Sequence, residues 1–317
     1  MTTASNDRGR AYEYAWISIL EEELGKKRPV EVVDNSSLEA NKHAWLTMPT
    51  ATQQTYLISA KSVIQQLMDI EPLMIEDPKD LLTLAFQNDS VGTQGDVRDI
   101  VMRRDSLNWE VGLSIKHNHE AVKHSRLSHR LDFGKEWFGV PCSNEYWNAV
   151  KPLFDWLKAE RAKGTKWSEI PDKDTLVYVP LLNAFMDEVQ RAYSIDKEIP
   201  RKMVEYLIGV YDYHKVISRD SKRVTELRSF NLHGTLSKGL ESSGSAIDIP
   251  VTNLPSELKS LEFKPGSKNT VLMDLNNGWK LSFRIHNASS KVEPSLKFDV
   301  QFVSMPSSIT IIKCAWK

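Results

Sequence analysis

Apolar positions recur at near-helical spacing between residues 9 and 24, where Tyr12, Trp16, Ile19 and Leu20 form one stripe and Gly25 supplies a stop. This predicts an amphipathic helix, with Asn6 or Asp7 as its cap. A second helix is expected over about Ser37 to Trp45. A third is expected over about Thr50 to Asp69, with Leu57, Ala60, Ile64 and Leu67 on one face and Pro72 ending it. The period then changes. Gly92 and Gly95 interrupt the chain, and two short β-type runs follow, about Val97 to Arg103 and Trp109 to Ile115. The intervening RDSLN reads as a turn, so the segment predicts an antiparallel hairpin. Helical periodicity returns over Asn144 to Lys163, with Trp147, Val150, Phe154 and Leu157 on one face, and continues through Leu176 to Tyr193 and Pro200 to Tyr213. After about Lys215 the text is β-like and rich in turns. It holds a Ser/Gly stretch, GLESSGSA, and an Asn277-Gly278 pair that predicts a hairpin between VLMDL and WKLSF.

With 317 residues, 41% hydrophobic and 26% charged, the chain can bury a core without disulfide staples. It contains one large domain or two modest ones. Two cysteines, Cys142 and Cys314, with no CxxC spacing, argue against a disulfide framework and a cysteine-ligated zinc. No apolar run approaches the ~18 residues that span a bilayer, and the first residues lack a signal-like apolar segment, so a reducing cytoplasm is expected. Net charge is −1, yet it is unevenly spread: residues 215–317 carry 15 basic and 9 acidic residues, leaving −7 on the first 214. The changes of charge and period together predict a helical and α/β region at 1–214 and a β-rich region at 215–317. A basic portion beside an acidic one suits nucleic-acid binding, which needs clustered cations and not a basic whole.

The chemistry concentrates in the hairpin. Side chains two apart on a strand share a face, so Glu110, Gly112, Ser114 and Lys116 point one way. Asp99 opens the first strand and in an antiparallel pair comes close to Ser114 and Lys116. A carboxylate and an ammonium there, with a further oxygen ligand, would hold Mg²⁺ against a phosphodiester. Asp96, three residues earlier, competes with Asp99 for the metal role or caps the turn. Resemblance to the PD-(D/E)xK nuclease core implies an acid two before the lysine, where this chain has Ser114. The substitutes are Glu110, Glu120, Asp132, Glu136 and Glu13. Glu110 lies about 13 Å along the strand from Ser114, long for one metal site, and Asp132 is favoured.

This arrangement resembles the PD-(D/E)xK nuclease core, with Glu13 on the leading helix, Asp99, and Ser114-Ile115-Lys116 in the motif positions. The stretches GRAYEYAW, GTQGDVRDIVMRR, VGLSIKHNHEAVKHSRLS, DFGKEWFG and GWKLSFRIHNASSKVEPSLKFDVQF together resemble the HaeIII family of type II restriction endonucleases over most of the chain. The resemblance implies an α+β restriction-endonuclease-like fold and Mg²⁺-dependent cleavage of double-stranded DNA, centrally within GGCC to blunt ends. It also implies a cognate cytosine methyltransferase as genetic partner. A palindromic target matches two-fold symmetry, so a homodimer is expected on DNA.

After the lysine, KHNHEAVKHSRLSHR gathers His117, Asn118, His119, Lys123, His124, Arg126 and Arg130, a candidate phosphate-gripping and base-reading segment. Its bland reading is the solvated start of a helix. In the C-terminal part Arg284, His286, Asn287 and Lys297 lie on or beside predicted strands that could approach a groove, while RIHNASS reads equally as a turn packed by its own polar side chains. Trp147, Phe154 and Trp156 are expected to pack a helix, and Cys142 to be structural. Two other readings stay open: a repair nuclease of the same core, and a DNA-binding protein without catalysis, suggested by the missing acid at Ser114.

Overall fold

The computed structural model describes residues 2–87, 95–120, 122–240 and 247–317. Gly92, most of the Ser/Gly stretch and the side chain of His124 lie outside the described residues. The fold is α+β, and it forms two compact units. The first comprises residues 1–120, 210–252 and 307–317, the second residues 121–209 and 253–306.

The first unit opens with α1 (Thr2–Gly25), longer at its N-terminus than the stripe predicts, so that Asn6 and Asp7 lie within the helix instead of capping it. After β1 (Val30–Val32), α2 (Ser36–Leu46) starts where the Asn35 side chain accepts from the Leu38 amide. The third helix, α3 (Thr50–Ile70), carries buried Ala60, Ile64 and Leu67 as the stripe predicts. β2 (Leu82–Phe86), β3 (Ile100–Arg104) and β4 (Trp109–His117) follow, and the RDSLN turn closes with Asn108 in the left-handed region at φ 48°. The chain returns as β6 (Tyr213–Arg219) and β7 (Val224–Phe230) and ends in β12 (Thr310–Ala315). These strands make one seven-stranded sheet of order β1-β2-β3-β4-β6-β7-β12, parallel only at β1–β2 and β4–β6. Ala11, Tyr12, Trp16 and Leu20 of α1, Ala60, Ile64 and Leu67 of α3, and Val111, Leu113 and Ile115 of β4 are buried in one core.

A parallel pair needs a crossover. The one joining β4 to β6 runs through the second unit: β5 (His124–Ser128), then α4 (Phe133–Phe138), α5 (Asn144–Ala162), α6 (Val179–Ile195) and α7 (Ile199–Ile208). Gly209 ends α7, so the helix expected through Tyr213 is shorter, and Tyr213 begins a strand. The segment 124–128, for which a solvated helix start is the bland alternative, is a strand. The residue 214/215 junction falls inside β6.

The second excursion from the first sheet supplies β8 (Leu258–Phe263), β9 (Thr270–Leu275), β10 (Lys280–His286) and β11 (Ser295–Ser304). With β5 they form an antiparallel sheet of order β5-β11-β10-β9-β8. The Asn277-Gly278 turn joins β9 to β10 with both residues at positive φ, 57° and 86°, the geometry such a pair adopts most cheaply. One sheet face presents Phe283 and Phe298 to Trp137 and Phe185 of the helices, with ring centroids 5.1 to 6.4 Å apart. The other face is polar.

Candidate active site

Register places the hairpin residues. Ile100 pairs with Leu113, and the Asp99 amide donates to the Leu113 carbonyl at 2.7 Å, so antiparallel pairing continues through Asp99 toward Ser114. One carboxylate oxygen of Asp99 accepts from the Ile115 amide and from Lys116 Nζ at 3.0 Å. Both partners are half-buried. Burial opposes the charge of Lys116, but the carboxylates of Asp99 and Glu13 outweigh it and hold the ammonium above its ordinary range. The sequence-based expectation that Asp99 and Lys116 meet across the hairpin holds.

Glu13 arrives from α1, one residue from the buried Tyr12, and Asn41 of α2 donates to its Oε2 at 2.9 Å. Burial, and then the nearby charge of Asp99, push its carboxyl up to about 8. The charges of Asp99 and Glu13 therefore oppose each other beside the Lys116 ammonium. Ser114 is buried on the strand face of Lys116.

Other acids singled out in the sequence are engaged elsewhere. Asp96 is buried and accepts from Arg98 through Nε and Nη2, both at 2.8 Å, and from Gln87 at 2.8 Å. Glu110 accepts from Arg98 at 2.6 Å and Arg103 at 2.9 Å; burial would raise its carboxyl, but these guanidiniums hold it below the usual range. Asp132, favoured from sequence as second metal ligand, belongs to the second unit. There its Oδ1 caps α4 by accepting from the Lys135 and Cys142 amides, both at 3.0 Å. Glu120 pairs with Arg219 and Arg228.

Sequence reasoning missed Lys215. It lies on β6 directly beside Ser114 in the parallel register, on the same sheet face, and is 3% exposed. Burial, with Lys116 and Arg228 nearby, pushes its ammonium down to about 7. The available signal was a lysine inside the otherwise strand-like YHKVIS; its partner strand, 100 residues away, was not readable.

The candidate DNA-binding residues divide. His117 bonds Asp220 at 2.9 Å and packs its ring near Tyr12 and Tyr56, while Asn118 accepts from the Asp220 amide, so both tie β4 to the β6–β7 turn. His119 is exposed just beyond β4. Lys123 lies 3.6 Å over the Tyr206 ring and donates to that residue's carbonyl, a packing role. Arg130 is exposed beside His129. Asn287 holds its own turn by donating to the carbonyls of Ser289 and Lys291 at 2.6 and 2.8 Å, so within RIHNASS the NASS part is a self-packed turn while Arg284 to His286 belong to β10. The remaining four share the polar sheet face: Arg126 pairs across strands with Lys297, Lys297 with His286, and Arg284 stands two residues before His286. His286 is held below its ordinary range by burial and then by Arg284 and Lys297.

The Asp99–Lys116 pair across the hairpin, with Glu13 reaching it from α1, makes up the candidate centre, and the whole-chain comparisons give the chain a family. Residues 9–306 match the model of the HaeIII restriction endonuclease family. The chain is 42% identical over 318 residues to the type II restriction enzyme HaeIII of Haemophilus aegyptius, covering 100% of both chains. It belongs to the HaeIII restriction endonuclease family. No solved structure matches it. Among the described residues no helix is long and apolar enough to cross a membrane.

Proposed function

We propose that the chain is a Mg²⁺-dependent deoxyribonuclease that cuts double-stranded DNA centrally within GGCC to leave blunt ends, with Asp99, Lys116, Glu13 and Ser114 at its centre. The observation that carries this reading is the Asp99–Lys116 pair at 3.0 Å across the hairpin of a restriction-enzyme family member. The donor set suits Mg²⁺. Among the described residues no three His, Cys, Asp or Glu side chains gather in a metal-binding group. Mg²⁺, however, commonly takes one or two carboxylates, completing its shell with waters and substrate phosphate. Asp99 and Glu13 are two such carboxylates, and a cation held by them would offset the repulsion between their charges. Bound there, the ion would stabilise charge developing on the phosphate oxygens and supply an acidified water.

Lys116, kept charged by Asp99, aims an ammonium at the same point, where it orients the attacking water or the scissile phosphate's oxygen. Ser114 offers a hydroxyl beside it, and Lys215 adds a buried amine on the neighbouring strand. Arg126, Lys297, His286 and Arg284 contact the DNA. A two-fold target calls for a homodimer on DNA, and a cytosine methyltransferase guards the host's own sites. The polypeptide works in the bacterial cytoplasm.

The test is digestion of plasmid DNA with Mg²⁺ and with EDTA, followed by sequencing of fragment ends. Blunt ends inside GGCC, lost with EDTA, are expected; smears point to a repair nuclease. The second reading, a DNA-binding protein without catalysis, draws on the hydroxyl at Ser114. Intact DNA under all metal and salt conditions, with binding retained, would favour it.

A further inference from the structure

The second unit holds a cavity of about 480 Å³ lined by Arg161, Gly164, Ser289, Ser290, Lys291 and Glu293. Its walls are two loops tied to each other. Lys166 and Lys291 form an isolated bridge, the Trp167 amide donates to the Ser290 carbonyl at 2.8 Å, and the Val292 amide to Thr165 at 3.0 Å. The serine loop is stiffened from within by Asn287 and by Ser289 Oγ, which donates to the Lys291 carbonyl at 2.7 Å. The cavity is thus built before any ligand arrives.

Its charge is left over. Glu293 is matched by Arg126 at 3.2 Å and accepts from its own loop. Arg161 and Lys291, both exposed, make no side-chain hydrogen bond or ion pair among the described residues. Arg126 also belongs to the cross-strand row Arg126–Lys297–His286, in which the cations Arg126 and Lys297 stand directly opposite one another at a cost to the sheet. Within that row, His286 Nδ1 is buried without a hydrogen-bond partner among the described residues, while the neighbouring Asp299 pairs with Arg284 at 3.6 Å. A polyanion with repeating charge would offset both the repulsion and the surplus.

Resting on the DNA reading above, we propose that the cavity between Arg161 and Lys291 seats a backbone phosphate of the duplex, and that the Arg126–Lys297–His286 row tracks the backbone leading to it. The two cations neutralise the phosphate, and Ser290 lines the cavity beside them. Such contacts position the protein on DNA without reading sequence.

Arg161→Gln, Lys291→Gln and the double variant would be compared with wild type by binding to a GGCC duplex and to a duplex of unrelated sequence without Mg²⁺, across a salt series. The log–log salt slope is expected to fall by about 0.9 in the double variant, which loses the one phosphate contact, and by less in each single variant, equally on both duplexes. A steep wild-type slope that none of the variants changes would overturn the assignment; a purely structural cavity or one for free phosphate would give that result. A loss confined to GGCC would overturn it too, since it would mean base reading. A flat wild-type slope would overturn the DNA reading itself. Thermal melting of each variant separates lost contacts from lost folding.

Discussion

Gly112 has no side chain because Arg98 occupies its place. A Cβ built there would stand 2.0 Å from Arg98 Cδ and 2.5 Å from Cγ. Carbon atoms need about 3.5 Å, so Gly112→Ala demands a displacement of roughly 1.5 Å. The arginine cannot give cheaply. It is buried, bonded to Asp96 on one side and Glu110 on the other, and stacked over Tyr211 with its guanidinium carbon 4.2 Å from the ring centre. Moving it breaks at least one carboxylate bond and strands the buried Asp96, a change that costs about 3–5 kcal/mol; overpacking without breakage would cost about 1–3 kcal/mol. At about 2–4 °C per kcal/mol, Gly112→Ala should melt on the order of 10 °C lower. Thermal denaturation by circular dichroism measures it. The cause is isolated by a double-mutant cycle, in which Arg98→Ala alone should be destabilising and Gly112→Ala added to it should cost almost nothing more. A melting temperature unchanged in Gly112→Ala, or additive costs in the double variant, would refute the reasoning.

Glu71 and His214 are both fully buried and bonded at 2.7 Å, so Glu71→Ala should lose about 3–5 kcal/mol in urea unfolding, because it leaves the imidazole without its partner. Asp132→Ala should cost about 1 kcal/mol as a lost helix cap and leave the cleavage rate within about twofold; a drop of 10²-fold would return Asp132 to the metal site. Burial pushes the Lys123 ammonium down to about 8, with Glu136 opposing. Above pH 8 the folded chain has shed a proton that the unfolded chain keeps to about 10.4, so this residue makes stability rise with pH through that window. Lys123→Met should flatten the rise, and equal slopes for the two proteins in urea titrations would contradict the assignment.

Local pattern carried much of the fold into the sequence. The stripes of α1 and α3, the hairpin of β3 and β4 and the Asn277-Gly278 turn depend on neighbours a few residues away, and each lies where periodicity puts it. Order along the sheet does not. β4 pairs with β6 across an excursion of about ninety residues, so Lys215 beside Ser114 had no local sign. Likewise β5 was hidden because its partner β11 lies 170 residues downstream and its His- and Arg-rich text lacks apolar alternation. At the site, spacing alone brought Asp99 to Lys116, but choosing among the spare acids required knowing which were already bonded. Asp96 and Glu110 go to Arg98, and Asp132 goes to a helix cap, both competitions between side chains that residue type does not reveal.

The most direct test of the centre is single-turnover cleavage of a GGCC duplex with saturating Mg²⁺ by Asp99→Asn, Glu13→Gln and Lys116→Ala, with DNA affinity measured in parallel. Each variant should bind duplex within a few-fold of wild type and cut at least about 10²-fold more slowly, the loss expected when a group that stabilises transition-state charge is removed. Cleavage at near wild-type rates by Lys116→Ala or Asp99→Asn would show that the chemistry happens elsewhere on this chain.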